Sequence, residues 1–337
     1  MQPHPSIPRV LGTPILPNLP HFLPFLQGNI HHVRPLNGLD ANTGKSTRQA
    51  FKTLAALLAA MTADQNDVGL MYGEGVASAS CTDYQSSVAN GAALLWNKDF
   101  THLVGAHSGS LFSPRARVSL LSTFATASML AKVSANGCSF SGLQFFSGVA
   151  SALPTGCLWV TGSRNHFYRC HIAGIGNDAN DIAGASSLLL DGASENVFEE
   201  CIIGLGTTGA GTAANAEIEF KNQASRNIFK NCLITRRLDH TSNHPLVLVT
   251  GATGIQDLNI FERCGFVSWD PNRAIAQSGV FKFSAPKTSG EIILDACYAT
   301  SGTGAVVKWD VDDGNYLTLV NCADLPAADT AGLERMV

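Results

Sequence analysis

The sequence predicts an all-β solenoid of parallel strands, and three observations carry that expectation. A nine-residue pattern recurs along the chain at steps of 31, 31 and 32 residues. A short alternating strand precedes each copy. The composition is that of a turn-rich β protein, with 32 glycines among 337 residues and only 14% charged residues, against about a quarter in ordinary globular chains.

The four clear copies are RNHFYRCHI (164–172), ENVFEECII (195–203), RNIFKNCLI (226–234) and LNIFERCGF (258–266). Asn165, Asn196, Asn227 and Asn259 lead them. Phe167, Phe198, Phe229 and Phe261 follow, then Cys170, Cys201, Cys232 and Cys264. Weaker copies continue as EIILDACYA with Cys297 and YLTLVNCAD with Cys322, and CSFSGLQFF stands upstream with Phe140, Leu143 and Phe145. The preceding strands are CLWVTG, SLLLDG, EIEFKN, LVLVTG, VFKFSA and VVKWDV. A period near 30 built of short strands with no helical segment means coils that stack and pair in parallel. Phe and Cys lie three apart, so simple alternation would put them on opposite faces; a bend between them sends both inward. Equivalent side chains then form a Phe ladder, a Cys ladder and an Ile/Leu ladder at about 4.8 Å spacing. The Asn ladder is expected at a bend that needs a left-handed backbone, with amides bonding along the column. About eight coils, from ALLWNKDF (93–100) to YLTLVNC, make a rod of roughly 40 Å.

Four regions follow in order. Residues 1–30 are an extended arm, whose seven prolines block helix and central strand. The arm is too apolar for a solvated linker, and Ile7, Leu11, Ile15, Leu16, Phe22 and Phe25 are its expected partner-binding residues. Residues 31–65 are an entry turn and a capping helix. Residues 66–322 are the solenoid, and 323–337 a short tail. Within the entry, NGLDANTGKSTRQAF (37–51) resembles a phosphate-binding loop, but the position that needs its first glycine holds Leu39. The stretch reads instead as an NG turn and a helix over 48–61, capped by Ser46 or Thr47, with Phe51, Leu54, Ala55, Leu58 and Met61 on one face. A first coil exposes its interior, and an amphipathic helix closes it.

The entry segment VRPLNGLDANTGKSTRQAFKTLAALLAAM and the run RNHFYRCHIAGIGNDANDIAGASSLLLDGASENVFEECIIGLGT resemble right-handed, single-stranded parallel β-helix proteins of tailed bacteriophages. The resemblance covers about residues 31 to 300. It implies a right-handed parallel β-helix, a virion location after assembly in the bacterial host cytoplasm, and a homotrimer.

Net charge is −4 with no long Lys/Arg run, so nucleic acid is not an expected partner. No run of about 18 apolar residues predicts a membrane span. The first residues lack a secretory pattern, so the nine cysteines are expected as free thiols. No cofactor, metal site or catalytic cluster is expected. Asp178 and Asp181 read as turn formers before they read as a glycosidase pair. Asp310, Asp312 and Asp313 lack a full calcium-loop pattern, and Asp239, His240 and His244 lack a further zinc ligand. His166 and His171 are expected to point outward beside Arg169. Trp159, Trp269 and Trp309 fall in or near strands without a strong carboxylate pair beside them. These readings favour a non-enzymatic virion protein: a trimeric capsid decoration or head spike, anchored by its arm to the major capsid protein or another virion protein. The alternative is a tailspike or fibre that binds or cleaves host surface glycan.

Overall fold

The computed structural model describes residues 9–10, 13–14, 28–74, 92–107, 109–114, 116–119, 127–152, 155–210, 214–238, 245–269, 279–301, 308–310 and 316–322. Each coil contributes one strand to each of three parallel sheets. In the coil that begins at Gly156 these are Gly156–Val160 in sheet I, His166–Tyr168 in sheet II and His171–Ala173 in sheet III. Sheets I and III have eight strands and sheet II has ten. The chain is therefore a parallel β-helix. Its coil count differs slightly from the expected eight, and sheet II alone extends back to Ile30–Val33 among the described residues.

The repeat sets the register. Phe167, Phe198, Phe229 and Phe261 pair directly in sheet II and are fully buried. Their rings, with Phe140, stack at 4.9, 4.7, 4.8 and 4.4 Å between centroids, tilted by at most 10°. These distances are the strand spacing itself, so the backbone repeat dictates the ring geometry. The bend that turns both Phe and Cys inward is present as expected. It falls on Arg169, Glu200, Asn231 and Arg263, all at φ between 51° and 52°. Each Cys thiol then donates to the carbonyl of the Phe one coil back: Cys201 to Phe167, Cys232 to Phe198 and Cys264 to Phe229, at 3.3–3.4 Å. The described cysteines are all free.

The Asn ladder works differently from the expectation. The left-handed residue is the one before Asn165, Asn196 and Asn227, namely Arg164, Glu195 and Arg226, and Asp257, two residues before Asn259. The Asn side chains are buried, with Asn196, Asn227 and Asn259 fully inaccessible. Asn196, Asn227 and Asn259 each accept, through Oδ1, the backbone N–H of the preceding coil's Asn, as Asn196 does from Asn165 at 2.9 Å and Asn227 from Asn196 at 3.2 Å, while Asn165 accepts from Cys138 N. Each Nδ2 donates to a carbonyl of an earlier coil, as Asn227 does to Ala193 O at 3.0 Å. Bend formation opens backbone groups that the next strand cannot reach, and the amides satisfy them without water. The exposed left-handed positions instead carry alternating charge. Arg164 pairs with Glu195 at 2.6 Å, and Arg226 pairs with Glu195 at 3.0 Å and with Asp257 at 2.5 Å.

The cap forms, but its helix is shorter than 48–61. Ser46 caps only a 3-10 turn, Thr47–Gln49. Phe51 then bridges to Val33 and turns inward, which interrupts the helical run. The α-helix is Leu54–Ala60, with Thr53 Oγ1 accepting from Ala56 N at 3.1 Å. Asp40 holds that start by accepting from Lys52 N, Thr53 N and Thr53 Oγ1. Gly44 sits at φ 71° against the Phe51 ring, so both backbone and space require glycine there. Leu54, Leu57 and Leu58 join the main core. Leu57 fits over Gly69, which stands where later coils carry an inward side chain. Lys98 closes the helix end by donating to the carbonyls of Leu58 and Met61 at 2.5 and 2.6 Å.

Candidate functional site

Interior columns leave little room for chemistry, so function must be sought on the outer rows. The outer row of sheet III runs Arg117, Gln144, His171, Ile202, Leu233, Gly265, Tyr298 in register. It lies one residue beyond the Cys column and changes character at each rung.

At its start the row is a buried polar relay. Arg117 Nε donates to Gln144 Oε1 at 2.5 Å. Gln144 Nε2 lies 3.2 Å from His171 Nδ1, which accepts from Ser113 N at 3.0 Å, and His171 Nε2 lies 3.0 Å from Gly204 O. That pattern fixes a proton on Nε2 of a neutral imidazole. Burial pushes its pKa down, against a partly offsetting bond to Gly204. His171 does face away from the interior, but it is only 2% exposed, because Phe112 and Ser113 lie over it. His166 faces outward in sheet II and meets Glu199 at 3.1 Å.

Toward the other end the row opens. Tyr298 is 53% exposed and lies across Gly265, where any Cβ would collide with its ring. Trp269 sits farther along the sheet III strand Gly265–Trp269. It is 38% exposed, and its indole N–H edge lies beside Gly206. Arg237 is the register neighbour of Trp269 and donates to Thr207 O at 3.0 Å. Arg263 and Asn231, at the adjoining bend, are joined by a bond from Arg263 Nε to Asn231 Oδ1 at 3.0 Å. The result is a strip about one strand wide, with two exposed aromatic rings and hydrogen-bonding groups on both sides. Gly265 leaves the space that the Tyr298 ring occupies, and Gly206 lies against the indole edge of Trp269.

The residues singled out from sequence distribute as follows. The Asn, Phe and Cys ladders are interior structure. Asp178 opens a 3-10 turn, Asp178–Asn180, and Asp181 accepts from Asn215 of the next loop at 2.5 Å, so the two aspartates organise stacked loops. Trp159 is committed to Lys132 over its ring and to Asp191 Oδ2 at 3.1 Å, and Trp309 is buried against Phe266. Ile7, Leu11, Ile15, Leu16, Phe22 and Phe25 lie outside the described residues, as do Asp239, His240, His244, Asp312 and Asp313; of the arm, Arg9–Val10 pairs antiparallel with Thr13–Pro14. Among the described residues no group of three or more His, Cys, Asp or Glu side chains is placed to hold a metal ion. The sequence reading missed Tyr298 and the His171 relay. The available signal was the residue after each Cys, which runs through His171, Ile202, Leu233, Gly265 and Tyr298.

The chain has the fold of known polysaccharide-acting proteins. It superposes on a rhamnogalacturonan lyase with a TM-score of 0.54 at 12% identity, covering 81% of this chain and 68% of that one. A pectin methylesterase from Erwinia chrysanthemi gives 0.50 at 13% identity, covering 81% and 80%. No protein-family model and no curated protein matches the sequence. Identity this low demonstrates the shared fold. The expectation of a non-enzymatic chain is nevertheless corrected: it rested on the lack of a catalytic motif, and both of these solved proteins are enzymes.

Proposed function

We propose that the protein acts on a polysaccharide, seating an extended glycan chain on the outer face of sheet III. The observation that carries this reading is the pair of exposed rings, Tyr298 and Trp269, standing on a glycine-cleared strip beside Arg237, Arg263 and Asn231. A sugar ring presents axial C–H groups on one face and hydroxyls around its edge. Aromatic faces take the first, and planar guanidinium and amide groups take the second. The resemblance of residues 31–300 to tailed-phage β-helix proteins supports placing this activity on a virion, as a tailspike that meets host surface glycan. On that reading the apolar arm holds the protein to the particle, and the working form is a homotrimer.

The test is binding and digestion of bacterial capsular polysaccharide and lipopolysaccharide by the full chain, with Tyr298→Ala and Trp269→Ala beside it. Wild type should retain the polymer and each variant should lose retention at least tenfold, with unchanged circular dichroism. Product analysis separates hydrolysis, which leaves a new reducing end, from elimination, which leaves an unsaturated sugar. Equal retention by both variants would remove the sheet III face from consideration.

A further inference from the structure

The Cys column has one feature that packing does not require. Five of its thiols, Cys170, Cys201, Cys232, Cys264 and Cys297, are at most 3% exposed, whereas Cys322 at the end is only half-buried. Register carries the column through: Asp295 pairs with Val320, which puts Cys322 one rung beyond Cys297. At this end the sulfurs also accept backbone hydrogen bonds, Cys297 Sγ from Cys264 N at 3.4 Å and Cys322 Sγ from Cys297 N at 3.3 Å.

We propose that Cys297 and Cys322 form a two-coordinate site for a soft monovalent cation of the copper(I) class. Thiolates select such ions over harder ones. Adjacent parallel strands lie about 4.8 Å apart. A linear sulfur–metal–sulfur unit with bonds of about 2.3 Å, the length of a zinc–thiolate bond, spans about 4.6 Å. The ion therefore bridges neighbouring rungs without moving the backbone. A disulfide fits less well, because it needs Cβ atoms about 3.8 Å apart, closer than two side chains projecting in parallel from adjacent strands.

Binding releases two protons, now directed at the carbonyls of Phe261 and Leu294, and leaves a bis-thiolate complex with one net negative charge. The two N–H···S bonds stabilise that charge, and partial exposure solvates it. Because two protons leave on binding, affinity rises with pH. Deeper in the column Cys170, Cys201, Cys232 and Cys264 are at most 2% exposed, so no solvent reaches them, which confines the site to the end.

The experiment is an anaerobic titration of the reduced full chain with copper(I) against a chelating competitor, followed by X-ray absorption at the copper edge. One ion per chain with two sulfur neighbours is expected. Cys322→Ser should weaken binding at least tenfold, and Cys201→Ser should leave it unchanged. Circular dichroism of each variant separates loss of the site from loss of the fold. Binding that survives Cys322→Ser, absence of binding, or a product lighter by two hydrogens and free of copper would each overturn the proposal.

Discussion

The inner column of sheet II and the outer row of sheet III follow the same helical path yet obey opposite rules. The inner column repeats Phe at four successive clear copies, ring on ring. The outer row passes through Arg117, Gln144, His171, Ile202, Leu233, Gly265 and Tyr298 without repeating once. Inside, each side chain meets its own equivalent above and below, so one residue that packs well is copied. Outside, each meets a different loop or solvent, so the row is free to carry a buried relay at one end and an open aromatic strip at the other. Constancy marks architecture in this protein, and variation at a constant position marks candidate function.

Four perturbations probe that division. The largest effect should come from Phe198→Ala, which opens a cavity in the middle of the stack. A loss of about 3–5 kcal/mol is expected in urea denaturation, while folded protein keeps its glycan retention. A much smaller loss would mean the column is not a cooperative core.

The second concerns His102, which stands on the outer row of sheet II but is only 6% exposed. Its ring accepts from Ser139 N at 3.0 Å and meets Asn66 Oδ1 at 3.2 Å. Burial lowers its pKa to about 4, so on acidification the unfolded chain takes a proton first. Its contribution to stability is complete above pH 6.5 and is lost as the pH falls through about 4, amounting to roughly 3 kcal/mol. His102→Gln should flatten that part of a stability–pH curve; an unchanged acid limb would show that the loss has another source.

The third sharpens the comparison from outside. Gly265→Val fills the space under Tyr298, so it should displace the ring and cut glycan retention severalfold while shifting the denaturation midpoint little. A large stability loss would mean this rung belongs to the architecture. The smallest effect should come from Arg226→Ala in the exposed charge ladder. Its loss should be slight at low salt and vanish near 1 M salt, where the Debye length is about 3 Å. A salt-independent loss would reassign the ladder to the core's stability.

Much of the fold was readable because a solenoid converts sequence period directly into spatial neighbourhood. The spacing of Asn165, Phe167 and Cys170 already implied three stacked columns and an inward bend between the last two. What the Asn side chain does was half readable: its bonding along the ladder was expected, while the left-handed turn belongs to the residue before it. That residue is Arg164, Glu195 or Arg226, and in the fourth copy the turn moves back one position to Asp257, so neither one identity nor one spacing marks it.

The sequence by itself determined the coil, its register and its interior, since these follow from local period and burial. Only the tertiary structure decided that Phe112 and Ser113 roof His171, that Phe51 breaks the entry helix, and that Gly265 and Gly206 clear space for Tyr298 and Trp269. The physical reason is that each of these depends on what a side chain meets across a loop or from an adjacent coil. Such contacts have no fixed spacing along the chain.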